Sequence, residues 1–206
     1  MTSTLRYNRT WECLIEFHAL DNLLKIITGN PGTGKHTVAR ILARKLKLEL
    51  IDVNKMSISK GATEKNGRVL DVDARKLKRV LDKEIPDNAL LVGHLAPYII
   101  SKSKIEIAVV LRRSPYSLEG VYKKRGYDKK KALENLGSEI IGITYYDTIK
   151  NIGRRKTFQF DTTNKSVYNT VKKIESLFVQ GKAKEDNTDW LKIISEKGDL
   201  KRFFPY

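Results

Sequence analysis

Short apolar runs alternate along the chain with amphipathic helical patterns, and this alternation predicts an α/β fold. Such runs are typical of parallel strands, because helices cover both faces of a parallel sheet. The predicted strands are 23–28, 48–51, 89–92, 106–111 and 157–160. Helical spacing of apolar residues is found at 38–46, 74–83, 133–141 and 167–178, and Ser114-Pro115 is typical of a helix start, with serine as the cap. We therefore expect a five-stranded parallel sheet with helices on both faces.

A glycine-rich loop joins the first predicted strand to the first predicted helix. It reads Gly29-Asn-Pro-Gly-Thr-Gly-Lys-His-Thr37. Glycines let the backbone curl until successive N–H groups point at one anion, and the helix start adds free N–H groups and a positive dipole end. Lys35 would reach the β- and γ-phosphates of a nucleotide, and Thr37 would supply a hydroxyl. The strand–loop–helix context favours a phosphate-binding loop over a turn that binds nothing.

Polar residues follow each of the other predicted strands. Ligands of open parallel sheets bind outside the carboxyl ends of the strands. The segments at those ends are 29–37, Asp52-Val53-Asn54, Gly93-His94, Arg112-Arg113 and 161–163. We expect all of them to converge on one cleft.

The remaining segments are less regular. Residues 1–22 form an N-terminal extension, either an additional helix or a poorly ordered end. Residues 55–70 are polar and predict a mobile excursion. Residues 23–180 would form the main domain, and 181–206 a linker with an aromatic tail, which either docks on its own domain or binds a partner.

Composition restricts the possible functions. A single cysteine excludes an internal disulfide and suits a reducing cytoplasm, and three dispersed histidines make a structural zinc site improbable. No apolar run is long enough to predict a membrane span. The net charge of +16 has two open explanations, contact with nucleic acid or another polyanion, and solubility alone.

Several motifs together resemble the adenylate kinase isoenzyme 6 family, an archaeal and eukaryotic branch of the nucleoside monophosphate kinases. Adenylate kinases place the loop threonine one position later than most phosphate-binding loops, as Thr37 stands here after His36. The matching motifs, over residues 24–178, are the loop from Gly29, Asp52-Val53, Asp71-Val72-Asp73, Gly93-His94-Leu95 and Lys124-Arg125-Gly126-Tyr127, followed by Lys130, Glu134-Asn135 and Glu139-Ile140. Members of this family are described both as adenylate kinases and as ATPases in small-ribosomal-subunit maturation.

The resemblance implies a P-loop nucleoside monophosphate kinase fold with two small segments, a monophosphate-binding segment at 52–75 and a lid at 124–134. The ATP-binding residues it implies are Gly32, Thr33, Gly34, Lys35, His36, Thr37 and Arg125. Asp52, Val53 and Asn54 would contact the monophosphate, His94 matches the functional histidine of the family, and Thr37 would be a weak ligand of Mg²⁺. One departure is Val92, where the family usually has an acid that orients magnesium through water. Either metal positioning is weaker here, or another acid such as Asp52 compensates.

Phosphoryl transfer depends on positioning and charge neutralisation more than on covalent chemistry. Lys35 and the loop amides would hold the donor phosphates, and Arg125, assisted by Arg112 or Arg113, would close over the transferring group. The resemblance implies conversion of ATP and AMP to two ADP, with ATPase activity. One alternative is an ATP-driven assembly factor that binds rRNA and a ribosomal protein. Another is a kinase of a small metabolite.

Overall fold

The computed structural model describes residues 23–59, 63–66, 69–72, 78 and 84–205. The N-terminal extension 1–22, nearly all of the helix predicted over 74–83, and Asp73 of the acidic triplet lie outside the described residues. In the described part of the chain, no helix is long and apolar enough to span a membrane.

Five of the described strands form one parallel sheet, as the apolar runs predict. The strands are β1 (Leu24–Gly29), β2 (Glu49–Asp52), β3 (Thr63–Asn66), β4 (Val69–Val72), β5 (Ala89–Val92), β6 (Ile105–Arg112) and β7 (Thr157–Asp161). The sheet has the order β2-β5-β1-β6-β7, and every neighbouring pair is parallel. The first crossover therefore passes over β5, so that β1 lies at the centre and its loop opens at the middle of the sheet's carboxyl edge.

The helices lie on both faces of the sheet, which confirms the predicted α/β architecture. They are α1 (Lys35–Leu46), α2 (Val53–Ser59), α3 (Ala96–Ile99), α4 (Pro115–Lys124), α5 (Lys129–Ile140), α6 (Ile143–Ile152), α7 (Val167–Gln180), α8 (Trp190–Glu196) and α9 (Leu200–Phe203). Successive side chains of a strand point to opposite faces. Accordingly Ile26 packs in a core with Ile99 and Ile152, whereas Ile27 packs in a second core with Leu42 and Ile174.

Regular structure occurs in the segment that was expected to be a mobile excursion. The Asp52 carboxylate accepts hydrogen bonds from the N–H groups of Asn54 and Lys55, at 3.1 and 3.2 Å, and thereby caps the start of α2. Strands β3 and β4 form an antiparallel pair, with Thr63 opposite Val72 and Asn66 opposite Val69. Sequence periodicity missed these elements because a short helix and a two-stranded ribbon have few apolar positions.

A cap bond predicted at the start of α4 is also absent. Ser114 occupies the N-cap position, but its side chain makes no capping hydrogen bond. Its backbone N–H instead donates to Thr163 Oγ1 at 2.7 Å. The start of α4 is therefore tied to the segment after β7. Of the two residues that predicted this helix start, only Pro115 plays its expected part, in the first turn of the helix.

The C-terminal segment docks on its own domain, which decides between the two sequence-based alternatives. Trp190, Ile194 and Phe203 are buried in a third core with Leu118 and Leu136. Ahead of them, residues 181–187 run beside β7, where the Asp186 N–H donates to the Gln159 carbonyl at 3.0 Å. The segment therefore covers the α4–α5 layer.

Candidate active site

The glycine-rich loop curls tightly between β1 and α1. Gly32 and Gly34 have φ values of +87° and +89°, a left-handed conformation that favours glycine. The Thr33 hydroxyl donates to the Asn30 carbonyl at 2.9 Å and closes the loop on itself. A Cβ atom at position 32 would lie 2.8 Å from Leu118 Cδ2, so α4 packs directly against the loop. This arrangement leaves the loop curved toward the cleft.

Lys35 lies over the loop rather than in solvent. Its side chain is buried, and its Nζ donates to the Asn30 carbonyl at 3.3 Å. Burial and, next, the nearby Arg125 guanidinium lower the pKa of Lys35 to about 8, against the opposing effect of Asp52. An anion bound beside Lys35 would offset the desolvation cost of the charged amine and its repulsion by the Arg125 guanidinium. The donor set therefore fits a polyphosphate.

The residues around this lysine form a cleft of about 410 Å³. Its lining includes Gly32, Gly34, Lys35, His36, Thr37, Asn54, His94 and Arg125. The structure thus brings together most of the predicted ATP-binding set with His94 and Asn54. Thr33 is an exception, because its buried side chain bonds within the loop.

Burial lowers the pKa of His94 below its usual 6.5, and the positive charges of Lys35 and, when it is protonated, of His36 lower it further. A histidine with such a pKa is neutral at pH 7. His94 can therefore donate one hydrogen bond and accept another in the cleft, without adding a positive charge.

A second pocket, of about 500 Å³, shares His36 with the first cleft. Asp52, Lys55, Arg40 and Val92 line it with His36. His36 Nδ1 lies 3.4 Å from Asp52 Oδ2. Burial and then Lys35 lower the pKa of His36, against the opposing effect of Asp52.

Two of the residues predicted to bind the monophosphate do not line this second pocket. Val53 is fully buried in the core with Ile26, because α2 turns its first side chain beneath the sheet edge. Asn54 lines the first cleft instead. Of the three predicted contacts, only Asp52 faces the second pocket.

Arg112 does not line the cleft. It is 3% exposed, and its guanidinium donates to Glu139 Oε1 at 2.7 Å, to Gln159 Oε1 at 3.0 Å and to the Glu139 carbonyl at 2.7 Å. Arg113 lies behind the loop, where its Nη1 donates to the Gly32 carbonyl at 3.0 Å. Arg112 therefore belongs to a buried network, and Arg113 supports the loop from outside.

The sequence motifs included Glu139, the centre of that network, but assigned it no role. Glu139 is 1% exposed, and besides Arg112 it accepts hydrogen bonds from Asn30 Nδ2 at 2.7 Å, the Arg113 N–H at 3.1 Å and Trp190 Nε1 at 3.2 Å. One signal was available, since Glu139 stands on the apolar face of α5 beside Leu136 and Ile140. A carboxylate in that position requires buried partners.

The turn that begins the predicted lid is also tied to the loop. The Tyr122 hydroxyl donates to the Pro31 carbonyl at 2.8 Å. Tyr127 stacks on Tyr122 with 5.2 Å between ring centroids, and Lys131 Nζ lies 4.5 Å from the Tyr127 ring centre. Arg125 is therefore carried by a turn whose base packs on the phosphate-binding loop.

The residues present fit a magnesium ion held mainly by a nucleotide. Among the described residues there is no group of three His, Cys, Asp or Glu that could hold a metal ion. Val92 is wholly buried, but its Cα partner on the neighbouring strand is Asp52, so a carboxylate stands beside the position where the resemblance led us to expect one. The oxygens of Asp52 and Thr37 are of the kind that Mg²⁺ prefers.

The segment after β7 reaches the loop from the opposite side. The Thr162 hydroxyl donates to the Thr33 carbonyl at 3.2 Å, and the Asp161 carboxylate accepts from the Thr163 N–H and hydroxyl at 2.9 and 2.6 Å. The strand-end segments thus meet around the loop as the topology predicts, except that the guanidinium of Arg112 turns inward.

Comparison with solved structures shows the same fold. YorR from Bacillus subtilis, solved in complex with phosphorylated GDP, aligns with a TM-score of 0.54 at 22% identity over 75% of this chain and 94% of that one. TT1252 from Thermus thermophilus aligns with a TM-score of 0.51 at 13% identity, over 79% and 98% of the two chains.

Sequence comparison shows the family. Residues 26–142 match the family described as "AAA domain". Proteins named "Putative adenylate kinase" match from Pyrococcus furiosus, 32% identical over 82% of this chain and 92% of that protein, and from Methanocaldococcus jannaschii, 31% identical over 80% and 90%. A third, from Thermococcus onnurineus, is 30% identical over 80% of this chain and 89% of that protein. The chain belongs to this family of archaeal adenylate kinase-like proteins, within the AAA-domain group.

Proposed function

We propose that this protein is a nucleoside monophosphate kinase of the isoenzyme 6 type, which converts ATP and AMP to two ADP and hydrolyses ATP slowly. The observation that carries the proposal is the pair of pockets that meet at His36. One contains the phosphate-binding loop, and the other is lined by Arg40, Asp52 and Lys55. A phosphoryl transferase needs two such sites with their phosphates adjoining.

The first cleft is the proposed ATP site. The loop amides and Lys35 bind the β- and γ-phosphates, Thr37 contributes its hydroxyl, and Arg125 closes over the transferring group from the turn between α4 and α5. Mg²⁺ bound to the nucleotide would neutralise part of the phosphate charge. Neutral His94 orients the γ-phosphate, or the water that attacks it in the hydrolytic reaction.

The second pocket is the proposed AMP site. Arg40 and Lys55 line it and would attract the monophosphate, whereas His36 offers a hydrogen bond there and is held by Asp52. An oxygen of the AMP phosphate bonds to the γ-phosphorus as the bond from that phosphorus to the β–γ bridging oxygen breaks, and ADP leaves. Both products are then ADP, and no proton needs to be moved.

The test is ADP formation from ATP, AMP and Mg²⁺, with CMP, GMP and UMP as competing acceptors. Lys35→Ala should lower turnover by about 10²–10³ or more, because it removes a charge that binds the transferring phosphates. The matched control is Lys45→Ala, since Lys45 lies on the same helix and pairs with Glu175 at the surface. Similar turnover in both variants would refute the role of Lys35. If CDP, GDP or UDP formed faster than ADP from AMP, that monophosphate would be the preferred acceptor and the assignment of AMP would be wrong.

A second candidate function is an ATP-driven assembly factor that binds rRNA and a ribosomal protein. It is supported by the exposed basic residues around the lid, in a chain of net charge +16. These residues are Lys123, Lys124, Arg125, Lys129, Lys130 and Lys131. Binding of rRNA fragments, measured on filters at two salt concentrations with and without ATP, should weaken steeply with salt. No binding at the lower salt concentration would refute this candidate.

A further inference from the structure

We propose that the C-terminal segment 190–203 supports the nucleotide site from outside the cleft, with Trp190 and Glu139 as positioning residues that hold the phosphate-binding loop in its curled form. The inference rests on the proposed function, in that the loop is taken to bind a nucleotide. Neither residue lines the cleft, so their effect reaches it through neighbours that bond both Glu139 and the loop, Asn30 above all and also Arg113.

Asn30 connects the buried carboxylate to the catalytic lysine. Its Nδ2 donates to Glu139 Oε2 at 2.7 Å, and its Oδ1 accepts from the Thr144 and Ser138 hydroxyls at 3.1 and 3.3 Å. The amide nitrogen and the amide oxygen of Asn30 are therefore both held by hydrogen bonds. The backbone carbonyl of Asn30 accepts from Lys35 Nζ. If the Asn30 side chain were released, the backbone at Asn30 could shift and move the acceptor that holds Lys35 over the loop.

Trp190 supplies the one donor to Glu139 in this network that comes from outside the nucleotide-binding core. Its Nε1 donates to Glu139 Oε1, the oxygen that also accepts from Arg112 Nε and the Arg113 N–H. A buried carboxylate keeps its charge and its orientation only while such donors surround it. Loss of the indole N–H would let the carboxylate turn about its bond and loosen its other oxygen from Asn30.

The C-terminal segment has anchors that are independent of this hydrogen bond. The Tyr116 hydroxyl donates to Asp199 Oδ2 at 2.6 Å, and the Tyr116 ring meets Phe203 edge-on with 5.2 Å between ring centroids. Phe203 is 1% exposed. Substitution of Trp190 by phenylalanine should therefore keep the segment docked while removing the donor and part of the buried ring volume.

The experiment compares Trp190→Phe with Tyr116→Phe. Each variant loses one hydrogen bond that involves the same segment, but only the first bond reaches Glu139 and the loop. Deuterium exchange of the amides at 29–37 is measured without nucleotide, and ATP affinity is measured by calorimetry. Trp190→Phe should speed amide exchange in the loop and weaken ATP binding, each by about threefold to tenfold. We expect this range because only part of the free energy of a hydrogen bond to a buried charge acts on the loop. Tyr116→Phe should change neither by more than about twofold.

Equal loop exchange and ATP affinity in the two variants would overturn the proposal, because Trp190 would then only fill the core. If Trp190→Phe does not fold, Glu139→Gln replaces it, since it keeps the shape and lacks the charge. Unchanged loop exchange in Glu139→Gln would also refute the proposal. A wild-type protein that does not bind ATP would refute the proposed function, while loop exchange would still decide the positioning role.

Discussion

Replacing Arg112 with methionine would leave the Glu139 carboxylate buried without its charged partner. Arg112 and Glu139 are 3% and 1% exposed, so water cannot solvate the remaining charge without local opening. The variant also removes three hydrogen bonds donated by the guanidinium. Methionine fills most of the space of the arginine stem, so the change chiefly tests the charge and its hydrogen bonds.

Breaking a buried ion pair by removing one partner costs about 3–5 kcal/mol of unfolding free energy. Glu139 keeps its hydrogen bonds from Asn30, Trp190 and the Arg113 N–H, so we expect the lower end, about 3 kcal/mol. With a urea m-value of about 2 kcal/mol/M, the midpoint of unfolding would fall by about 1.5 M. The double variant Arg112→Met/Glu139→Gln should recover part of this loss, because no buried charge remains.

Equilibrium unfolding in urea, followed by circular dichroism, measures these values. Lys45→Met is the matched control, because it removes a cation from the half-exposed pair with Glu175 and should cost about 0–1 kcal/mol. A loss below about 1 kcal/mol for Arg112→Met would refute the assignment of Arg112 to a buried network. In that case a large loss of turnover would return Arg112 to the catalytic set.

Two further predictions concern the loop itself. ATP phosphates favour the charged form of Lys35, whose pKa is about 8 in the free protein, so ATP binding should take up a proton above that pH and ATP affinity should fall as the pH rises through about 8. Calorimetry in two buffers of different ionisation enthalpy measures this uptake, and it should disappear in Lys35→Arg, which stays charged. Gly32→Ala should lower the thermal midpoint more than Gly198→Ala does. Both glycines have positive φ, but only a Cβ atom at position 32 would collide with Leu118, and equal shifts would contradict this reasoning.

The pattern of consecutive residues was sufficient to predict the parallel sheet and the phosphate-binding loop. Each strand of the parallel sheet was found within one or two residues of its predicted bounds, because a strand covered on both faces needs an apolar run wherever it lies in the sequence. The loop was found because its glycines and Lys35 act through backbone conformation and the adjoining helix start, which are properties of consecutive residues. His94 reached the same cleft because the carboxyl ends of parallel strands share one edge. Arg125 reached it on the turn between α4 and α5, whose base bonds to the loop through Tyr122.

The partners of charged side chains were decided by tertiary structure alone. Nothing in the dipeptide Arg112-Arg113 shows that the first guanidinium turns inward to Glu139 and the second bonds the back of the loop. Trp190 and Asn30 meet the same carboxylate from positions 51 and 109 residues away. Hydrogen bonds to a buried charge depend on which helix faces pack together, and that packing is set by the whole chain, whereas strands and glycine turns depend mainly on their own residues.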